Sequence, residues 1–252
     1  MLGISMPADR INFLDLGFDR LTFLGIKNWL QAVGTASPYA YVVTPNVQHV
    51  VEVHRNPSLR ELYEEATLCV CDSRILRLLA RLSGIRLPLI AGSDLVEVLF
   101  AEIIRSGDVI ALVGGTAALL ARLQARFPVV DFRHFVPPMG LRQNLHARQS
   151  AAAFIAASNA RFTLIAVGAP QQEMIAWEAG KAPGASGAAL CIGAGLDFLI
   201  GEQKRAPKSL QMLNLEWAHR LATNPRRLWR RYLVDGLKFF PIYVRWLRSR
   251  DR

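Results

Sequence analysis

The chain is poor in the residues that usually build metal and redox sites. Its three cysteines, Cys69, Cys71 and Cys191, are an odd number without C-x-x-C spacing, and Cys69 and Cys71 alternate along an apolar run that reads as a buried strand. They are expected to be core thiols in a reducing compartment. The five histidines, His49, His54, His134, His146 and His219, contain no H-E-x-x-H or other compact ligand spacing, so no bound metal is expected. No apolar run approaches the roughly 20 residues of a spanning helix, which excludes a polytopic membrane protein. Met1 to Arg20 carry Asp9, Asp15 and Asp19 and lack the basic-then-apolar order of a secretory signal, so a cytoplasmic chain is expected. Internal repeats and low-complexity segments are missing as well. What is there is 252 residues, 52 % of them apolar, enough for one substantial domain, alone or with an appendage, around a packed core.

Charge is segregated. Residues 1–203 hold 17 Lys plus Arg and 17 Asp plus Glu, whereas residues 204–252 hold 13 and 3, so the whole formal charge of +10 sits in the last fifth of the chain. A neutral body followed by a cationic appendage implies an anionic partner at that end: nucleic acid, anionic lipid or a phosphate-bearing substrate. The basic residues there are interleaved with Trp217, Leu221, Leu228, Trp229, Tyr232, Leu233, Phe239, Phe240, Tyr243 and Trp246. That array is amphipathic and suits a bilayer interface, where aromatic rings sit at headgroup level and guanidinium groups meet phosphates. Trp217 and Leu221 are expected to pack on the body, and residues 239–252 to contact lipid.

The body alternates short apolar runs with longer amphipathic stretches. Tyr39 to Thr44, Thr67 to Cys71, Val109 to Val113, Phe162 to Val167 and Ala188 to Ile192 read as central parallel strands. Helical patterns cover Asn46 to Ala66, Ser93 to Ser106, Thr116 to Phe127, Asn144 to Ala157 and Gln171 to Glu178. This alternation predicts an α/β fold, a Rossmann-like, doubly wound and mostly parallel sheet over residues 1–203, with a basic helical appendage over 204–252. In such a sheet the ligand lies beyond the carboxyl ends of the strands, so the five turns that follow them are expected to share one crevice.

Those turns carry the candidate chemistry. Asp72 directly follows an apolar strand; it reads either as a helix N-cap or as a general base that takes a proton from an acceptor hydroxyl. No second carboxylate falls at a partner spacing, which favours a transferase with one acid over a hydrolase with two. Gly114, Gly115 and Thr116 open a helix and could receive an anion or be a structural turn, and Gly193 and Gly195 form a similar turn that could share a nucleotide diphosphate. Neither is G-x-G-x-x-G or a P-loop, so dinucleotide binding and ATP hydrolysis are disfavoured. Thr44, Asn46 and Gln172 can bond sugar or base edges without adding charge, although each singly reads as an ordinary cap or turn residue.

Read in order, these segments resemble the WecG/TagA/CpsF glycosyltransferase family. The similarity runs from Tyr41 to Leu233. It rests on Thr44-Pro45-Asn46, on Asp72, on Ala91-Gly92-Ser93-Asp94-Leu95, on Gly168-Ala169-Pro170-Gln171-Gln172-Glu173, on Asp197-Phe198 with Lys204-Arg205-Ala206-Pro207, and on Leu215-Glu216-Trp217 through Arg220 to Tyr232. The resemblance implies an inverting enzyme that moves a sugar from a UDP-sugar to a polyprenyl-diphosphate-linked saccharide. It would work without a bound metal, peripherally on the inner face of the cell membrane, in surface or exopolysaccharide synthesis. By the same resemblance Asp72 is the base, Thr44 and Asn46 line the crevice near the reacting sugar, and Gln172 holds a sugar. Arg220, Arg227 and Arg230 would meet the diphosphate, and planar guanidinium groups can stabilise its charge. The chain has Asp72-Ser73 where the family usually has Asp-Gly, and Gln171 where it usually has lysine. ManNAc, glucose and uronic-acid donors therefore all stay open, as does self-association.

Two other classes compete with this reading. A protein that binds nucleotide-sugar or polyprenyl phosphate without catalysis keeps every turn but makes Asp72 dispensable. A nucleic-acid binder would use the basic tail, yet the body has no recognised nucleic-acid motif and the tail is rich in large aromatics, so no nucleic-acid partner is expected.

Overall fold

A computed structural model of the chain describes residues 9–201 and 236–250. Six parallel strands form the central sheet: β3 (Ala40–Val43), β4 (Leu68–Cys69), β5 (Val109–Gly114), β6 (Asp131–Phe135), β7 (Phe162–Ala166) and β8 (Ala188–Cys191), in the order β4-β3-β8-β7-β5-β6. The four inner strands contain no charged residue, as a sheet covered on both faces demands. Register is set by apolar pairs such as Val42 opposite Leu68 and Leu164 opposite Leu190.

Alternate residues feed two cores. Tyr41, Val43, Cys69, Ile165 and Cys191 point to one face and pack against helices α2 (Val47–Arg55), α3 (Glu61–Glu64), α4 (Arg74–Leu82), α7 (Leu145–Ala157) and α8 (Gln171–Gly180). Val42, Leu68, Ile110, Leu112, Phe162, Leu164 and Leu190 point to the other, against α1 (Phe23–Ala32), α5 (Gly92–Val98), α6 (Ala117–Arg126) and α9 (Gly195–Leu199). The sheet is thus doubly wound, Rossmann-like and parallel, as expected from the alternating pattern.

Several local readings are corrected. The helix expected over 46–66 is interrupted: Asn56 ends α2, Pro57 opens a 3₁₀ turn (Pro57–Leu59), and α3 follows as a single turn. Proline is well placed at such a start because its missing N–H would have no partner there. The strand expected over 67–71 pairs only at Leu68 and Cys69, with one further bridge from Cys71 to Leu89. β6 was not anticipated, because Asp131 and Arg133 break its apolar pattern, as befits an edge. Nor was the antiparallel hairpin of β1 (Arg10–Phe13) and β2 (Leu16–Asp19). It is stitched to β4 by Asp19, whose carboxylate accepts the Cys69 N–H at 2.6 Å and the Arg10 Nε–H at 3.1 Å, while Arg10 also donates to the Ala66 carbonyl.

The last described helix, α10 (Phe239–Arg250), belongs to the same core. It buries Phe239 and Trp246, and Trp246 meets the ring of Phe13 edge-on at 5.0 Å. The boundary expected at residues 203 and 204 lies outside the described residues.

All three thiols are free and buried, as anticipated. Burial raises the Cys69 and Cys191 thiols well above their ordinary range, and pushes Cys71 up to about 12. A thiol-specific disulfide reagent at about pH 8 should therefore label the native protein at least about 100-fold more slowly than the urea-unfolded chain. Rapid labelling of any one cysteine in the native state would contradict this packing.

Candidate active site

The carboxyl ends of β4, β3, β8 and β7 lie side by side, and short polar contacts run between them. Asp72 leaves β4 and is half-buried, at the rim and not in the core. Of its two readings, the helix cap is taken by its neighbour: the Ser73 hydroxyl accepts the Leu76 N–H at 3.2 Å and caps α4. The Asp72 carboxylate turns elsewhere, and its Oδ2 accepts the backbone N–H of Gly92 at 3.2 Å.

Gly92 opens α5 and was quoted only as part of a motif; the structure gives it a role. A Cβ built there would stand 3.1 Å from Thr44 Oγ1 and 3.7 Å from Asp72 Oδ2. A side chain at 92 would thus crowd the Thr44 hydroxyl and fill the space beside Asp72, two residues that the sequence singled out from different strands. Thr44, at the end of β3, is itself buried, with its hydroxyl 3.5 Å from the Cys191 carbonyl of β8.

Asn46 caps α2. Its Oδ1 accepts the Gln48 N–H at 3.0 Å, and its own N–H donates to His49 Nδ1 at 3.2 Å. The same Nδ1 lies 3.0 Å from Asn46 Oδ1, and the two contacts call for opposite tautomers of the ring. His49 Nε2 faces Glu173 Oε1 at 3.4 Å, and Glu173 is 0 % exposed. Gln172 Nε2 donates to the same oxygen at 2.8 Å, and Gln172 Oε1 accepts the Gly193 N–H at 2.9 Å. A series of polar contacts, Asn46–His49–Glu173–Gln172–Gly193, therefore runs between the turns after β3, β7 and β8; its middle three residues are buried, and its His49–Glu173 step is a 3.4 Å approach without a hydrogen bond. Both Gln172 termini are engaged in it, so Gln172 shapes the crevice wall from beneath. His49 Nε2 and Glu173 Oε2 make no hydrogen bond of good geometry.

The glycines divide. Gly193, at φ +52°, belongs to the polar chain, while Gly195 is packed against α5, where a Cβ would meet Val96 at 3.3 Å. Gly114 and Gly115 sit at φ +92° and +73° at the end of β5; a Cβ on Gly114 would meet Val167 at 2.7 Å, and one on Gly115 would meet Leu119 at 2.5 Å. Positive φ and close packing both require glycine at this pair. Arg220, Arg227 and Arg230 lie outside the described residues.

Sequence reading missed Gly92, His49 and Glu173. The first was visible as the glycine of Ala91-Gly92-Ser93-Asp94-Leu95. His49 could have been found as the residue three positions after the Asn46 cap, the spacing at which a side chain reaches back to the cap backbone. Glu173 followed Gln172 in a quoted motif, but nothing local distinguishes a buried glutamate from a helix-start one.

A doubly wound parallel sheet with a carboxylate at its rim, amide and hydroxyl groups beside it and glycine turns between defines a Rossmann-like α/β protein whose site occupies the carboxyl edge of the sheet. The model of the glycosyl transferase WecG/TagA/CpsF family matches residues 11–252, nearly the whole chain, and the protein belongs to that family. It is accordingly a glycosyltransferase of cell-surface polysaccharide synthesis. Among the described residues no helix is long and apolar enough to cross a membrane.

The His49–Glu173 contact carries a stability prediction. His49→Ala strands a buried carboxylate and should cost about 2–4 kcal/mol in urea unfolding. The Glu173→Gln change removes the charge, so the double variant should recover about 1 kcal/mol or more of that loss. Additive losses would show that the two side chains do not interact.

Proposed function

We propose that the protein is an inverting hexosyltransferase that carries a sugar from a UDP-sugar to a polyprenyl-diphosphate-linked saccharide at the inner face of the cell membrane. The observation that carries the reading is Asp72: a carboxylate at the rim of a parallel sheet that leaves the cap of α4 to Ser73 and is held by the Gly92 N–H that opens α5. In the step envisaged, the acceptor hydroxyl loses its proton to Asp72 as its oxygen bonds to the anomeric carbon. The bond from that carbon to the UDP oxygen breaks on the opposite side, which inverts the centre and releases UDP. A single carboxylate suffices for such a displacement, because no covalent sugar intermediate has to be held.

Thr44 and Asn46 form the wall nearest the reacting sugar in this reading, and Gln172 with Gly193 its floor. Gly195, Gly114 and Gly115 keep the neighbouring turns tight. Arg220, Arg227 and Arg230 supply positive charge to the diphosphate, a contribution drawn from the family resemblance and from the segregated charge of the chain. This assigns the stabilisation of developing negative charge to guanidinium groups, with no metal ion or other cofactor. The combination of UDP-sugar donor and lipid-linked acceptor agrees with the cationic, aromatic-rich end of the chain.

Three measurements test the proposal. Purified protein given a panel of UDP-sugars and a synthetic prenyl-diphosphate saccharide should give one mass shift of a single sugar on the acceptor; no shift with any donor would refute the transfer. Asp72→Asn should lower turnover at least about 100-fold while UDP binding by calorimetry is preserved. Undiminished turnover would remove the base assignment. Replacing Arg220, Arg227 and Arg230 together by Ala should reduce transfer strongly with a melting temperature near wild type, whereas equal loss of folding would make them structural.

A further inference from the structure

Helix α4, which leaves the candidate site directly behind Asp72 and Ser73, sorts its side chains into three stripes. Leu76 and Ala80 are buried, whereas Ile75, Leu78 and Leu82 are exposed, Leu82 at 71 %. At 100° per residue the exposed apolar three share one side, with Arg74, Arg77 and Arg81 in the next stripe around. On the opposite flank of the apolar stripe lies α10. The Tyr243 hydroxyl is 2.9 Å from Ser83 Oγ and donates to the Leu79 carbonyl at 3.3 Å, and Arg250 donates to the Ser83 carbonyl at 2.8 Å.

α10 mirrors this order on its own side of the seam. Beyond Tyr243 come Leu247, then exposed Phe240 and Val244, then exposed Arg248 and Arg245. The two helices therefore present a shared apolar strip along their seam, with a row of arginines on each outer side. No Asp or Glu occurs from Ser73 to Ser93 or from Gly236 to Arg250, and those segments contain eight Lys and Arg. Arg86 extends the cationic surface, in an open depression beside Gly84 at the far end of α4, where Arg20 also lies, paired with Asp9 at 3.7 Å.

We propose that α4 and α10 together form a docking face for an anionic bilayer, with their seam at the level of the headgroups and the Asp72 rim opening beside it. Charge decides the occupant. Apolar side chains flanked by cations match the acyl boundary beneath a layer of phosphates. A second copy seated on this face about a two-fold axis would instead set arginine rows close to one another with no carboxylate between them. The inference deepens the membrane reading above, and rests on it, by assigning half of the contact to a helix of the catalytic body.

Full-length protein is sedimented with vesicles of phosphatidylcholine, with or without phosphatidylglycerol. Wild type should bind the mixed vesicles, bind phosphatidylcholine alone far more weakly, and lose affinity as salt rises. The pair L78E/L82E, the pair F240E/V244E and the triple R74Q/R77Q/R81Q should each weaken binding at least about tenfold with an unchanged melting temperature. The milder L78S/L82S pair guards against a folding artefact. Wild-type binding by folded α4 variants would overturn the proposal. So would a binding loss matched by loss of a self-associated form in light scattering, because the face would then join copies. Transfer to a water-soluble short-chain diphosphate acceptor is measured in parallel: wild type and L78E/L82E should react equally. Wild type failing there while still binding vesicles through this face would refute the functional reading and leave the docking face standing.

Discussion

A carboxylate sealed beneath a sheet edge calls for polar neighbours, and Glu173 finds them at one oxygen: Oε1 accepts from the Gln172 amide and lies 3.4 Å from His49 Nε2, while Oε2 has no hydrogen-bond partner among the described residues. Its solvation by water is lost, so the Gln172 amide and the His49 imidazole have to lie where they do. Those two in turn fix Gly193 and Asn46. The chemistry at the crevice surface is therefore built on a buried polar layer whose members cannot move independently. Such an arrangement favours precise placement of neutral hydrogen-bonding groups around a sugar, because disorder would strip a buried carboxyl group of the partner it has.

Much of the architecture was legible because central parallel strands are apolar without interruption. The four inner strands read directly from runs such as VIALV and FTLIA, and the alternation with helices led to the doubly wound sheet. What was not legible is what the edge and the surface do differently. β6 alternates charged with apolar residues and so hides among helical patterns; the hairpin of β1 and β2 is short, and Asp19, which ties it down, looks like any acidic residue until its partner Cys69 N–H is known. Charge counts also conceal burial. Arg161 and Arg148, both buried, look like surface cations in a tally. Arg161 instead joins the Val33 and Ile103 carbonyls to Asp108, and Arg148 joins the Leu141 carbonyl to Glu178.

The site was legible in its positions more than in its roles. Strand ends in a parallel sheet converge by topology, so Thr44, Asp72, Gln172 and Gly193 could be named from their order alone. Which atoms face which could not be read. That Ser73 and not Asp72 caps α4 depends on backbone geometry one residue wide, and that Gln172 is held from both ends depends on partners 21 residues away and next door. At Gly114 and Gly115 the turn is legible in the sequence but its neighbours are not: the side chains that exclude a Cβ there, Val167 and Leu119, are known only from the structure.

The two outer strands of the sheet are closed off by different means. On one side β4 gives its Cys69 N–H to Asp19 of the hairpin; on the other, β6 carries Asp131 and Arg133. Unpaired main-chain groups on a rim would otherwise template the addition of foreign strands. These guarded margins leave neighbouring copies little main chain on which to extend the sheet, whatever the concentration at which they meet.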